Sequence, residues 1–227
     1  MQSVACPTCG AEVIFRSPAL PVRVCDYCRT LVVRYDQGAQ GQVTENGGEG
    51  AVLPFDVSPI QIGTEGNCFD QNFQIIGRVR WAWDDGAWNE WLMLLADGSH
   101  AWLGEAMGQF MALREVALTG LLAQVIRRLM NGTPVKPGES GNIAGQSYEV
   151  ADIRTVCCIG CEGELPFTAP VGWEALSVDF RNRDGRCASF QKDRHGPSLY
   201  VGHHVTLASL QPRNLRQLPG WSLPAYG

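Results

Sequence analysis

The segment PIQIGTEGNCFDQNFQI, residues 59–75, has a counterpart later in the chain, PVKPGESGNIAGQSYEV, residues 134–150. The two segments align without a gap and share one proline, two glycines, one asparagine and one glutamine. Self-similarity at a fixed spacing is typical of a duplicated structural unit. We therefore predict two related halves after residue 58. The alternative is a chance resemblance between short β-rich segments with glycine turns.

Both segments are followed by short runs of alternating polar and apolar residues, rich in β-branched and aromatic side chains. Such alternation is typical of strands that bury one face. Asp97-Gly98 and Asp184-Gly185 are hairpin-turn signals, because glycine tolerates a positive φ. The sequence therefore predicts two small antiparallel β halves.

A different pattern separates these halves, in the stretch QFMALREVALTGLLAQVIRRLMNG, residues 109–132. Its apolar residues recur at helical spacing, with Arg127 and Arg128 in the last turn before the stop signal Asn131-Gly132. We predict an amphipathic helix over residues 113–133 that packs its apolar stripe into the core. A partner-binding groove or a dimer face is the alternative role for that stripe.

Two CxxC pairs open the chain, Cys6 with Cys9 and Cys25 with Cys28, and 15 residues lie between the pairs. Two such turns supply the four thiolates of a tetrahedral zinc site. The cofactor predicted is one structural Zn²⁺, since four protein ligands leave no open position and a small module needs the metal to fold. Iron held by the same four thiolates is the main competitor, and a redox dithiol fits less well.

The predicted organisation has five parts. Residues 1–35 form the zinc ribbon, residues 36–58 a flexible glycine-rich linker, residues 59–112 the first β half, residues 113–133 the connecting helix and residues 134–227 the second β half. The predicted fold class is thus mainly β: an N-terminal zinc ribbon followed by two pseudo-repeated small antiparallel β halves, barrel- or sandwich-like, joined by one amphipathic helix.

The remaining cysteines are less regular. Cys157, Cys158 and Cys161, with Cys187, are candidates for a second metal site, but successive strand residues point to opposite faces. Cysteine behaves as a small hydrophobic residue, so we predict that these are buried structural thiols. A second metal and a reactive thiol are the alternatives.

Charge and targeting signals narrow the function classes. The net charge is −5, although residues 1–35 carry four arginines against two acidic residues. Nucleic-acid binding is therefore not expected for the whole chain and stays open only for the ribbon. No apolar run reaches the ~20 residues that span a bilayer, and no signal-peptide pattern is present. We expect a cytoplasmic location without a transmembrane segment, where CxxC pairs stay reduced.

Several segments resemble a bacterial family known as domain of unknown function 4178. They are IGRVRWAWDDGAWNEWLMLLADGSHAWLGEAMGQF (76–110), EGELPF (162–167) and SLYVGHHVTLASL (198–210), and the resemblance covers roughly residues 60–210. Members of that family often carry an N-terminal zinc ribbon. Their genes tend to lie beside membrane-stress and polyamine-synthase-like genes, which implies an accessory or partner-binding role. The resemblance implies no reaction.

Two functions follow as expectations. The first is an adaptor that binds a protein partner through its ribbon and its tryptophan-rich β domain, since Trp and Tyr are favoured interface anchors. The alternative is a binding protein or enzyme for a small ligand, for instance a polyamine-like cation, held in an acidic pocket between the two β halves. That pocket would be lined by Trp88, Glu90, Trp102, Glu105, Glu162 and Glu164. No catalytic motif appears, so we predict no enzymatic residue.

Overall fold

The computed structural model describes residues 2–36, 42–49, 53, 57–119 and 123–220, and these residues are mainly β. The N-terminal region contributes β1 (Gln2–Ala5), β2 (Glu12–Phe15), β3 (Val22–Val24), β4 (Thr30–Asp36) and β5 (Gln42–Glu49). The first half contributes β6 (Glu65–Cys68), β7 (Gln71–Trp83), β8 (Gly86–Leu95), β9 (His100–Ala106) and β10 (Gln109–Val116). The second half contributes the helix α1 (Gln124–Met130), β11 (Ser140–Ile143), β12 (Gln146–Leu165), β13 (Glu174–Arg181), β14 (Arg186–Asp193) and β15 (Gly196–Val205), and a 3-10 turn follows at Ala208–Leu210.

Eight of these strands close into a ring. β7 to β10 form one antiparallel meander and β12 to β15 form another. The meanders are joined at both edges, because β10 pairs with β15 and β7 pairs with β12, both antiparallel. Closure pairs both edges of each meander, which would otherwise offer unpaired N–H and C=O groups to other chains. The mainly β fold predicted from the sequence is confirmed.

The two segments that resemble each other in sequence also take the same local structure. The Gly63 N–H donates to the Ile75 carbonyl at 2.8 Å, and the Gly138 N–H donates to the Val150 carbonyl at 2.9 Å. Both glycines have a φ of 89°, a left-handed conformation that side chains disfavour. β6 pairs with β7 in the same register as β11 pairs with β12. Descent from one duplicated segment stays a prediction.

Each half covers the outer face of its own meander with a separate hydrophobic layer. In the first half, Ile60 and Leu210 pack with Trp91, Met93 and Leu103. In the second half, the apolar side of α1 packs against β13 to β15. These layers bury one face of each meander, so the other face of every ring strand points to the inside of the ring.

The predicted helix over 113–133 was wrong in its first part. Leu113 lies in β10, opposite Trp102 on one side and Gly202 on the other, because ring closure supplies this strand with two partners. The helix begins at Gln124 and buries Val125, Ile126 and Leu129, so the predicted core role of its apolar stripe is confirmed. Residues 120–122 lie outside the described residues.

The predicted flexible linker, residues 36–58, was wrong for residues 42–49. These residues form β5, which pairs with β4. Glycine is needed there, because a Cβ on Gly47 would lie 2.5 Å from the Val33 side chain. Residues 37–41, 50–52 and 54–56 of that stretch, and residues 221–227 of the second half, lie outside the described residues.

The N-terminal strands are continuous with the ring. β5, β4 and β3 extend the large sheet through β12, where Arg23 lies opposite Glu164 and Val22 opposite Leu165. Val22, Val24 and Leu31 belong to the same buried cluster as Ile76 and Val79 of β7. The ribbon and the ring therefore share a sheet and part of a core. No helix in the described part of the chain has the length and apolar character that crossing a membrane requires.

Candidate functional site

The four cysteines of the CxxC pairs sit in two matching turns. The Cys6 N–H donates to the Ala11 carbonyl at 2.8 Å, and the Cys25 N–H donates to the Thr30 carbonyl at 2.9 Å. Each turn ends in a left-handed residue, Gly10 with a φ of 75° and Arg29 with a φ of 63°. Each turn thus presents two thiols to the same side.

The four sulfur atoms form a compact cluster. All lie within 4.8 Å of one another, with 3.6 Å between the Sγ atoms of Cys6 and Cys28 and 3.8 Å between those of Cys9 and Cys25. Four thiolates at ~2.3 Å from a tetrahedral metal lie about 3.8 Å apart, so the cluster has the dimensions of a metal site with four cysteine ligands. All nine cysteines are free thiols.

The irregular cysteines form no such cluster. Cys158 and Cys161 are buried, and their thiols lie 3.5 and 3.3 Å from the Ala169 carbonyl oxygen. A bulge between Cys158 and Gly160 puts these two thiols on the same side of the strand. Burial raises the pKa of Cys161 and of Cys187 to about 12. Within the described ranges, Cys6, Cys9, Cys25 and Cys28 are the one group of His, Cys, Asp or Glu ligands close enough to share a metal.

The inside of the ring holds a cavity of about 400 Å³, bounded by both β halves. Ring strands alternate between an outer layer and this interior, so the cavity is lined by every second residue of several strands. Its aromatic lining includes Trp83, Trp88, Trp102, Phe167 and Tyr200. Its polar lining includes Glu90, Asp152, Ser177, Asp179, Ser189 and Gln191.

Glu90 is a half-buried carboxylate that lines the cavity. It accepts hydrogen bonds from Trp81 Nε1 at 2.9 Å, Trp88 Nε1 at 3.2 Å and Gln191 Nε2 at 2.6 Å. Loss of bulk water around Glu90 raises its pKa, and these three donors oppose that rise because they stabilise the charged form. Among the ion pairs of the described residues, none involves Glu90.

Asp179 adds a second carboxylate to the same interior. The pKa of Asp179 is raised to about 6, mainly by burial and to a smaller extent by the charge of Asp152, while a hydrogen bond with Ser189 opposes the shift. The charge of Asp179 also raises the pKa of Glu90, so the two carboxylates repel each other electrostatically. Asp179, with a pKa of about 6, is mostly ionised at pH 7 and gives the interior a negative charge.

Aromatic rings form much of the remaining wall. Trp83 and Trp88 lie 5.4 Å apart between ring centroids, and Trp102 stacks on Phe167 at 5.9 Å. Phe167 belongs to the loop between β12 and β13 and also contacts Trp173 edge-on at 5.1 Å. This loop therefore contributes an aromatic side chain to the cavity wall.

The cavity opens to solvent, since Arg154, Arg181 and His204 line it and are exposed. β12 pairs with β7 only from residue 157 onward and with β11 only up to residue 149. One edge of residues 150–156 therefore has no strand partner among the described residues. Arg154 lies on that stretch, and its guanidinium lies 5.7 Å from the centre of the Trp83 ring and 2.9 Å from Asp152.

The predicted pocket residues divide into two groups. Trp88, Glu90 and Trp102 line the cavity, as the sequence analysis expected. Glu105 borders it, but its carboxylate accepts hydrogen bonds from Ser58, Asn89 and Trp91, none of which lines the cavity. Glu105 lines the cavity as expected, and its contact with a ligand stays a prediction.

Glu162 and Glu164 do not line the cavity, so that part of the prediction was wrong. Glu162 lies 3.3 Å from Arg78 in an ion pair. Glu164 is fully buried and accepts the backbone N–H groups of Arg16 at 2.6 Å and Ser17 at 2.8 Å. Its carboxylate also lies 3.4 Å from Arg23. Glu164 therefore anchors the ribbon to the ring.

Asp179 and Gln191 were missed by the sequence analysis. Alternation along the two strands gives a signal for them. On β13, Ser177, Asp179 and Arg181 point to the same face, and on β14 Ser189 and Gln191 do so. All five line the cavity. Polar residues on the inner face of two neighbouring strands indicate a polar cavity rather than a packed core.

The family model described as domain of unknown function (DUF4178) matches residues 61–207, so the chain belongs to that family. The match covers all eight ring strands and excludes the CxxC turns. The resemblance seen in the sequence is confirmed over this range. No curated protein and no solved structure matches the chain.

Proposed function

We propose that this member of the DUF4178 family binds a small organic cation inside its ring, while one structural zinc ion holds the ribbon. The observation that carries the proposal is Glu90, a carboxylate enclosed by three neutral hydrogen-bond donors in an open-mouthed cavity. Of the two functions expected from the sequence, this is the small-ligand alternative.

The charge of the interior supports a cationic ligand. Enclosing a carboxylate away from water is costly unless a positive charge or hydrogen bonds compensate. Glu90 and Asp179 stand in one cavity, and neither takes part in an ion pair among the described residues. A bound cation relieves the repulsion between the two carboxylates. It also supplies a positive charge with which they can pair.

The aromatic wall supports an organic cation over a metal ion. Tryptophan faces attract ammonium groups, and the attraction is strongest where water is excluded. Trp83, Trp88 and Trp102 line the cavity together with Phe167 and Tyr200. A volume of about 400 Å³ is within the range of small-ligand pockets. Amines, quaternary ammonium compounds and short polyamines have this combination of charge and apolar surface.

The proposal includes no reaction. The cavity groups described above bind and orient a cation, and that role accounts for their arrangement. The expected adaptor role, with a protein partner such as the product of a membrane-stress or polyamine-synthase-like gene, stays a prediction. Trp81 and Trp91 are fully buried and Trp102 is 8% exposed, so these three tryptophans are core residues rather than interface anchors.

Zinc is the metal that we propose for the cysteine cluster, because four thiolates at this spacing suit its tetrahedral geometry. Four protein ligands leave no position for a substrate, so its role is structural. Reduced thiols require a reducing compartment, in keeping with the proposed cytoplasmic location. Elemental analysis of the purified full-length protein should give one zinc per chain. Iron in its place would contradict the assignment.

Calorimetric titration with choline, putrescine and spermidine tests the cavity proposal. We expect at least one to bind the wild-type protein, and Glu90→Gln to weaken that binding at least tenfold, because the charge is lost while the shape is kept. Glu174→Gln, an exposed change on β13, is the matched control and should bind like wild type. The proposal fails if none of the three cations binds, or if Glu90→Gln binds them unchanged.

A further inference from the structure

Two of the four carboxylates that line the cavity lie near positive charge. Asp152 forms an ion pair with Arg154, whose Nε lies 2.9 Å from its carboxylate. The charge of Glu105 raises the pKa of Arg78 and of Arg80, so it stabilises both guanidinium groups. The charges of these two carboxylates are therefore balanced within the protein.

The other two, Glu90 and Asp179, have hydrogen bonds but belong to no ion pair of the described residues. Arg181, the remaining arginine of the cavity lining, lies 3.6 Å from Glu149 instead. His204 lowers the pKa of Asp179, but its effect is the smallest of the four that act there. A ligand with a single ammonium group would balance one of the two carboxylates and leave the other unpaired inside the cavity.

Strand register sets the spacing of these two carboxylates. The Glu90 carboxylate accepts a hydrogen bond from the Gln191 amide at 2.6 Å, and Gln191 lies opposite Ser177. Asp179 follows Ser177 by two residues and points to the same face, so it lies about 7 Å farther along β13. The carboxylates therefore stand at neighbouring inward positions of the ring, a separation that a short chain can span.

The two halves differ at the position of Asp179. The register shifts once between β7 and β8, after Ile75, and once between β12 and β13, after Val150, and these two residues match in the aligned segments. The residue just past the shift lies opposite Leu92 in the first half and opposite Asp179 in the second. Leu92 is fully buried, so an apolar side chain satisfies the fold at this position. The carboxylate of Asp179 therefore indicates a role beyond packing.

We propose that the ligand is a short diamine, with one ammonium group on Glu90 and the other on Asp179. This inference rests on the proposed function, since it takes the cation site at Glu90 as given. Two positive charges balance both carboxylates at once. The methylene groups between them suit the tryptophans that line the same cavity, Trp88 and Trp102.

Calorimetric titration of the full-length protein with butylamine and putrescine at pH 8 tests the inference, because the two amines share one carbon chain and differ by one ammonium group. Putrescine should bind about tenfold more tightly, since two charge pairs form instead of one. In Asp179→Asn this advantage should fall to the statistical gain of having two equivalent ends. Asp184→Asn, at an exposed turn position, should keep the full advantage. Thermal unfolding checks that both variants are folded.

The outcomes separate the two proposals. Butylamine binding that depends on Glu90, without a gain for putrescine, would refute the diamine and keep the cation site. A gain for putrescine that Asp179→Asn leaves intact would overturn the proposed position of the second ammonium group. Binding of neither amine, nor of choline or spermidine, would refute both proposals.

Discussion

The cysteine cluster and the ring cavity are built in opposite ways. The cluster takes all four of its sulfur atoms from two short turns, and each turn is fixed by its own backbone hydrogen bonds. The cavity takes its polar groups from β8, β12, β13 and β14, which meet only when the ring closes. A site made of local turns can be recognised from residue spacing, whereas a site made of distant strands needs the register of every strand.

The cysteine cluster and the cavity also differ in the positively charged partner that their groups need. Four thiolates need a metal, and their geometry already fits one. In the cavity, Glu90 and Asp179 have hydrogen bonds but no cation among the described ion pairs. The cluster is therefore the structural site, and the cavity is the place where an exchangeable partner fits. Four predictions test this contrast.

The largest effect is expected from Cys25→Ser. Loss of one thiolate should release the metal and unfold the CxxC turns, because a structural metal supplies much of the folding free energy of such a module. The ring should keep its cooperative unfolding with a lower Tm, since Val22 and Leu31 leave a shared core. Metal analysis and thermal unfolding measure both. Cys157→Ser should keep the metal. Complete unfolding of the ring in Cys25→Ser would refute the contrast.

The next effect is expected from Glu164→Ala, which breaks the contact between the two regions. The N–H groups of Arg16 and Ser17 and the Arg23 guanidinium would lose a buried acceptor. We expect a loss of about 2–4 kcal/mol in the free energy of unfolding in urea. Glu174→Ala, at an exposed position, should cost far less. Equal stability of the two variants would show that Glu164 does not anchor the ribbon.

A smaller effect, of opposite sign, is expected from Asp179→Asn. The pKa of Asp179 is raised to about 6 in the folded protein, above its ordinary value of 3.8. The folded protein therefore binds this proton more tightly than the unfolded chain does. The resulting stabilisation is fully present below about pH 4 and is lost as the pH rises through 6. The variant should be more stable than wild type by about 1–3 kcal/mol at pH 8 and equal to it near pH 4. Urea unfolding across this range, with Asp184→Asn as control, measures the difference. A pH-independent difference would contradict the pKa assignment.

The smallest effect concerns the pH dependence of ligand binding. Choline keeps its charge at every pH, so a change in its affinity reports on the protein. Protonation of Asp179 below about pH 6 removes one negative charge from the cavity, and choline affinity should fall about fivefold between pH 8 and pH 5. Asp179→Asn should weaken this dependence, which Glu90 alone would then carry. A flat titration of the wild-type protein would place Asp179 outside the binding site.

The sequence predicted the strands, the cysteine cluster and part of the cavity, and its errors have physical causes. Leu113 and Val116 fit a helical stripe as well as a strand, and their strand structure depends on pairing with β15, far along the chain. Glu164 was predicted to line the pocket. The residues around it in the sequence do not indicate that the backbone N–H groups of Arg16 and Ser17 donate to its carboxylate. Trp88 and Glu90 were predicted correctly, since their alternation on β8 sets their face directly.

Ring closure also dictates the order in which the molecule can be completed during synthesis. β7 and β10 are made early, but their partners β12 and β15 lie about 75 and 90 residues later in the chain. Until those residues leave the ribosome, the first meander has two unpaired edges, which are sites of aggregation. Such distant pairings also slow folding. A chain cut short before residue 196 would lack β15 and keep the edge of β10 open.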